Sequence, residues 1–235
     1  MNTAKSFQPN LARGNGTWQL TETLAPFKEK IYKKGEQVIA QGRAEVDLHF
    51  VVKGKVLLCH LDPLAEREVI TGLFMNGEFI NPEILTGDVG EDRYAVAKSD
   101  TLVKSIPRLS FLNLMEKTPF LPKLILQSVV ERQRKMQARL QRLELMSTRH
   151  RVLLFLVEYV EKAGRDVGYE RVVRHFLPHH ELAGLCNSSR QSVTTILNEL
   201  RQLKVVHFNR RYLLVRDMER LRKLAAEAFN QPLLS

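Results

Sequence analysis

Residues 186–206 read CNSSRQSVTTILNELRQLKVV. Within them Val193, Ile196, Leu197 and Leu200 fall at i, i+3, i+4 and i+7, the buried stripe of an amphipathic helix. The other side carries Arg190, Gln191, Ser192, Thr194, Thr195 and Asn198, and it is short of the Lys and Glu of a plain solvated helix. Upstream, Pro178 suits the first turn of an earlier helix over HHELAGLC. Asn187 falls where the chain must bend, and Asn tolerates the left-handed conformation such a bend needs. Ser188, three residues before Gln191, has the spacing of a capping box and predicts the start of the second helix. Ala183 is small where the helices meet, and Leu182, Leu185, Val193, Ile196 and Leu200 supply the apolar interior. The stretch predicts a helix-turn-helix.

In that motif the N-terminal half of the second helix enters the DNA major groove. Arg can bond guanine bidentately, Gln can do so with adenine, and Ser or Thr hydroxyls can serve bases or phosphates. Arg190, Gln191, Ser192, Thr194 and Thr195 are therefore candidate DNA contacts. VVHFNRRYLLVRD follows as a β-hairpin with Asn209, Arg210 and Arg211 near its tip, which makes the motif winged and sets Arg210 and Arg211 near phosphate. His175, His179 and His180 read as packing or phosphate contacts, with His179 a candidate on the DNA side. They lack a matching carboxylate or Cys pattern, so no metal site is read from them.

Charge supports a polyanion partner. Residues 1–119 hold 15 Lys/Arg and 15 Asp/Glu, whereas residues 120–235 hold 21 and 11 and so supply the whole net charge of +10. Hydrophobic residues make up 44% of the 235, enough for real cores. No apolar run is long enough to span a membrane, and the N-terminus lacks the apolar run of a signal peptide. Two cysteines, Cys59 and Cys186, make no disulfide framework, and a cytoplasmic protein is the simplest reading.

The rest of the chain has two textures. From residue 24 to 107 short runs rich in Val, Ile and aromatics are punctuated by glycines at 35, 42, 54, 72 and 77, which predicts a β-roll or jelly roll. Val46, Leu48, Phe50 and Val52 alternate on one strand face, and Lys53-Gly54 marks a tight turn. After the short helix RLSFLNLMEK, a stretch without Gly or Pro spaces Leu126, Val129, Gln133, Met136, Leu140 and Leu143 by three and four. That is a heptad seam with a polar break at Gln133, and it predicts a helix that pairs with its twin. Packing on its own β-domain is the alternative. STRHRVLLFLVEYVEKAG is a capped helix ending at Gly164. The fold class is α+β: an arm over 1–20, a β-roll over 21–118, a dimerisation helix over 119–146 and a winged helix-turn-helix over 147–235.

YKKGEQVIAQG, HFVVKGKV and NGEFI in the β-roll, and HHELAGLCNSSRQSVTTILNEL beyond it, resemble the CRP/FNR superfamily of bacterial transcription regulators, over residues 25 to 228. The resemblance implies a cyclic-nucleotide-binding-type β-roll, a homodimer, double-stranded promoter DNA and RNA polymerase as partners, and activation as the commoner mode. It sets Ser189 against phosphate and Arg190 and Gln191 on bases. Many relatives have Glu at the position of Gln191 and some have Arg at that of Thr195, so their operators do not transfer. Among the family's effector residues Arg93 matches the phosphate-binding Arg, but Asn81-Pro82 stands in place of Gly-Glu, with Glu83 one position late. Tyr94 replaces a small hydroxyl residue and predicts a steric obstacle, and Met136 and Gln137 stand about where cyclic-AMP binders place Thr-Ser. Cyclic AMP therefore fits poorly, and Arg93 is left to another anion or to an ion pair with a neighbour such as Asp92. Iron–sulfur relatives need about four cysteines, which argues against a cluster here. Cys59-His60 could offer haem ligands, or be a strand pair with one side chain buried and one exposed. An enzyme or its regulatory subunit would need a catalytic segment, and no glycine loop, Ser elbow or metal constellation is present.

Overall fold

The chain divides between Gln133 and Arg134 into two units, and the computed structural model describes residues 16–42, 45–62, 67–87 and 92–229. The first unit runs through helix α1 (Gly16–Thr23) and strands β1 (Glu29–Tyr32), β2 (Gln37–Ile39), β3 (Asp47–Lys53), β4 (Lys55–Asp62) and β5 (Arg67–Met75). A 3-10 turn (Pro82–Thr86), β6 (Arg93–Ala97), β7 (Thr101–Pro107), α2 (Arg108–Lys117) and the long helix α3 (Phe120–Leu145) follow. The strands form two antiparallel sheets, in the orders β1-β7-β3 and β2-β6-β4-β5.

Strand β3 is buried on both faces. Val51 joins Tyr32, Val103, Val56, Leu58, Ala95 and Ala97 in the core between the sheets. Leu48 and Phe50 face the other way, into a second core with Ile106, Phe79, Phe111 and the helical residues Leu121, Leu124 and Ile125. Phe79 is the hinge of that core, its ring 5.0 Å from Phe50 and 5.9 Å from Phe111. The expected sharing of one strand face holds for Leu48, Phe50 and Val52 and fails for Val46. Val46 precedes the strand and is exposed, and the face opposite Leu48 is buried too.

The expected loose arm over 1–20 also needs correction. Residues 1–15 lie outside the described residues, but from Gly16 the chain is helical, with Leu20 and Leu24 buried in the second core. Their spacing of four places both on one side of the helix.

In the second unit, α4 (Thr148–Ala163) is capped by Ser147, whose side chain accepts from the His150 N–H, and it ends at Gly164 as predicted. Strands β8 (Arg165–Val167) and β9 (Glu170–Arg174) make a hairpin whose first strand was not predicted. Helices α5 (His179–Cys186) and α6 (Arg190–Gln202), strands β10 (Val206–Phe208) and β11 (Tyr212–Val215), and α7 (Met218–Phe229) complete it. The four strands form one sheet in the order β10-β11-β9-β8. Helix α4 packs on α5, α6 and α7, and its Leu153, Leu156 and Val160 are buried.

The turn from β3 to β4 has no room for a side chain. Gly54 has φ +115°, and a Cβ there would stand 2.4 Å from Thr101 Oγ1. Gly54→Ala should destabilise the chain by about 2 kcal/mol or more. Urea unfolding of the full chain, followed by circular dichroism, would show the loss as a lower midpoint.

Candidate nucleic-acid interface and effector pocket

Helix α5 ends on Asn187 at φ 49°, ψ 58°, the left-handed conformation expected of the bend. The Ser188 N–H reaches back to the Ala183 carbonyl at 2.9 Å, closing a Schellman-type turn. The cap of α6 is Ser189. Its Oγ accepts from the Ser192 N–H at 3.0 Å and lies 2.9 Å from the Ser192 hydroxyl. The expected capping box at Ser188 is thus displaced by one residue, because Ser188 is taken up by the turn.

Val193, Ile196, Leu197 and Leu200 are buried along α6, and Ser189, Arg190, Gln191 and Thr195 stand exposed on its N-terminal half. Two expected readers are drawn inward. Thr194 Oγ1 donates to the Arg190 carbonyl at 2.8 Å and lies 2.9 Å from His179 Nδ1. The His179 ring also stands edge-on to Phe208 at 5.6 Å. Burial, and after it the Arg190 charge, pulls the His179 imidazole below its ordinary value. Their side chains thus bridge α5 and α6 at the edge of the open face.

At the wing, Asn209 organises the turn. Its Oδ1 accepts from the Arg211 and Tyr212 N–H groups at 2.7 and 3.0 Å, leaving Arg210 and Arg211 exposed at the tip. His175 and His180 lie elsewhere: the His175 N–H donates to the Arg211 carbonyl at 2.7 Å, and the exposed His180 is 3.9 Å from Glu181.

In the first unit, Arg93 pairs with Glu83 and not with Asp92, which instead faces His60 at 3.3 Å. Arg132, which sequence reasoning did not single out, donates to the other Glu83 oxygen at 2.8 Å and to the Ile80 carbonyl at 3.3 Å. Its guanidinium also lies over the Phe74 ring, 5.6 Å from the centroid. The signal available for Arg132 was its place seven residues, two helical turns, after the buried Ile125. Asn81 is buried and tied to β3, accepting from the His49 N–H and donating to the Asp47 carbonyl, each at 2.9 Å.

Tyr94 is on the other face of β6 from Arg93, since successive strand residues alternate. It stands across from Cys59, and both reach Glu68. The expected steric obstacle at Arg93 is therefore not Tyr94. The Cys59 thiol donates to Glu68 Oε1 at 3.2 Å, and burial and then Glu68 push its pKa up to about 12. Cys59 and His60 point to opposite faces of β4, one buried and one partly exposed. Along α3, Leu126, Met136 and Leu140 are each more than half exposed, Val129, Gln133 and Gln137 are exposed, and Leu143 is half-buried.

Comparison with known proteins places both halves. Residues 29–118 match the cyclic nucleotide-binding domain family, and residues 150–224 match the Crp-like helix-turn-helix domain family. The cyclic AMP receptor protein of Thermus thermophilus is 27% identical over 202 residues, 86% of this chain and 90% of that protein. The chain belongs to the CRP/FNR family. These are DNA-binding transcription regulators. A CRP/FNR-family transcriptional regulator, also from Thermus thermophilus, shares the fold with a TM-score of 0.69 at 22% identity, over 86% of this chain and all of that one. FixK2 from Bradyrhizobium japonicum does so at 0.71 and 18%, over 84% of this chain and 96% of its own.

For this CRP/FNR chain the cap assignment is open to a direct test. Ser189→Ala should cost about 1 kcal/mol through loss of the N-cap. Ser188→Ala should stay within about 0.5 kcal/mol. Denaturant unfolding of the two variants beside the parent would show the ordering.

Proposed function

We propose that the protein is a homodimeric, sequence-specific regulator of promoter DNA whose α6 reads bases through Arg190, Gln191 and Thr195. The observation that carries this is the open polar N-terminal half of α6, held on a fully buried stripe and started by a fixed left-handed turn. Ser189, Ser192, Arg210 and Arg211 serve as phosphate contacts beside it. The basic excess of residues 120–235 suits the same partner. Dimerisation along α3 rests on its exposed Leu126, Val129, Met136 and Leu140, an apolar stripe in heptad register. Two copies would then present two readers to a two-fold operator. Activation through RNA polymerase, in the cytoplasm, follows from the family's commoner mode, and the described helices include none long and apolar enough to cross a membrane. The assigned role is regulatory and not catalytic.

The effector side departs from the cyclic-AMP pattern. The Arg93 guanidinium, which would take a cyclic phosphate, is paired with Glu83, and Glu83 is held from its other side by Arg132. Pro82 offers no hydrogen-bonding group to a ribose hydroxyl, and Glu83 is engaged. Haem fits no better, because Cys59 is a protonated thiol bonded to Glu68 and His60 faces away from it. We read the chain as binding DNA without cyclic AMP.

Selection of duplexes from a random pool by the purified full chain, with and without cyclic AMP, tests this at near-physiological salt. One two-fold sequence should be recovered under both conditions. Recovery only with cyclic AMP would overturn the pocket reading, and equal retention of all sequences would overturn the reader.

Leu140→Glu should convert the dimer to monomer in sedimentation and abolish binding to the selected duplex. A stable dimer carrying that change would place the interface elsewhere.

A further inference from the structure

The turn that aims α6 is held by side chains from outside the motif. The carbonyls at the C-terminal end of α5 have no partners within their own helix and carry its negative dipole end. Two guanidiniums meet them. Arg151 of α4 donates to the Cys186 carbonyl at 3.1 Å and to the Asn187 carbonyl at 2.8 Å. Arg139 of α3 donates through Nη2 to the Gly184 carbonyl at 2.8 Å and through Nε to Asn187 Oδ1 at 2.7 Å, with Nη2 also against that oxygen. Three residues further on, Arg142 pairs with Glu158 of α4, steadying the same stretch of α3.

Residue 187 itself points to a role for the side chain. A left-handed position is served at lower conformational strain by Gly than by Asn. What Asn adds here is Oδ1, and that atom is engaged by Arg139. The turn therefore carries an acceptor for a donor that belongs to the long helix.

We propose that Arg139 is a positioning residue for base reading: by binding Asn187 Oδ1 and the Gly184 carbonyl, it fixes the direction in which α6 leaves the turn and ties that direction to α3. Arg139 itself touches no base. Displacement of this stretch of α3 pulls on the turn through the bidentate contact, and the open face of α6 turns with it. This rests on the reading of α6 as the DNA reader, and the test separates the two.

The test uses the full chain and the two-fold duplex it selects, with Arg139→Ala, Arg139→Lys, Asn187→Gly, the double variant Arg139→Ala/Asn187→Gly, and Arg190→Ala for direct reading. Arg139→Ala should weaken the selected duplex about tenfold or more while leaving random-duplex affinity unchanged. Asn187→Gly keeps the left-handed turn and should give a comparable loss. The double variant should be no weaker than the worse single one, since Arg139→Ala already removes the Oδ1 contact that Asn187→Gly removes. Lys reaches one acceptor and should recover part of the loss.

Parent-like affinity in Arg139→Ala beside a loss in Arg190→Ala would overturn the positioning role alone, as would additive losses. A salt slope reduced by about one in Arg139→Ala would make it a phosphate contact instead. Hydrogen exchange without DNA gives an independent reading. The Ser188 and Ser192 amides should exchange faster in Arg139→Ala, and unchanged exchange overturns the proposal even if the parent chain shows no sequence preference.

Discussion

The open polar face of α6 depends on one backbone residue, Asn187, held at φ 49° between α5 and α6. A right-handed conformation there would continue α5 and carry the polar face of α6 away from the buried stripe that anchors it. The turn is secured three ways: by the Ser188 N–H on the Ala183 carbonyl, by the Ser189 cap on α6, and by guanidiniums on the α5 carbonyls. Each satisfies a backbone group that a helix end leaves without a partner. The dense hydrogen bonding explains why so short a connection can hold two helices at a fixed angle.

The first unit obeys a different constraint. Strand β3 is buried on both faces through its middle, so Leu48 and Phe50 must suit one core and Val51 another. Helices α1, α2 and the start of α3 cover the sheet face that would otherwise be wet, through Leu20, Phe111 and Leu121. The glycine at position 54 answers to the same shortage of space, since the neighbouring strand passes where a Cβ would be.

Periodicity made the elements legible. The i, i+3, i+4, i+7 stripe of α6, the bend at Asn187, the Ser147 cap and the wing tip are local patterns, written within a few residues. What the sequence hid is long-range. Glu83 meets Arg132 across 49 residues, and Arg139 meets Asn187 across 48. No local pattern announces such pairs, and the heptad spacing of α3 singles out neither Arg132 nor Arg139. Tyr94 went wrong for another reason: identity with a motif position says nothing about strand face until register is known. Ser188 and Ser189 differ by one place, and only the length of the turn decides which one caps.

The Glu83 contact has a consequence for what could ever address the pocket. A carboxylate that the same folded chain holds against its two partners is present at an effective concentration of order millimolar or above. Any free anion competing for Arg93 and Arg132 must overcome that permanent local excess, and it must also leave Glu83 another way to be solvated. On the proposed reading of the pocket, a dilute anion does not displace Glu83 from these two guanidiniums. The pocket has in effect a concentration threshold written into its covalent structure.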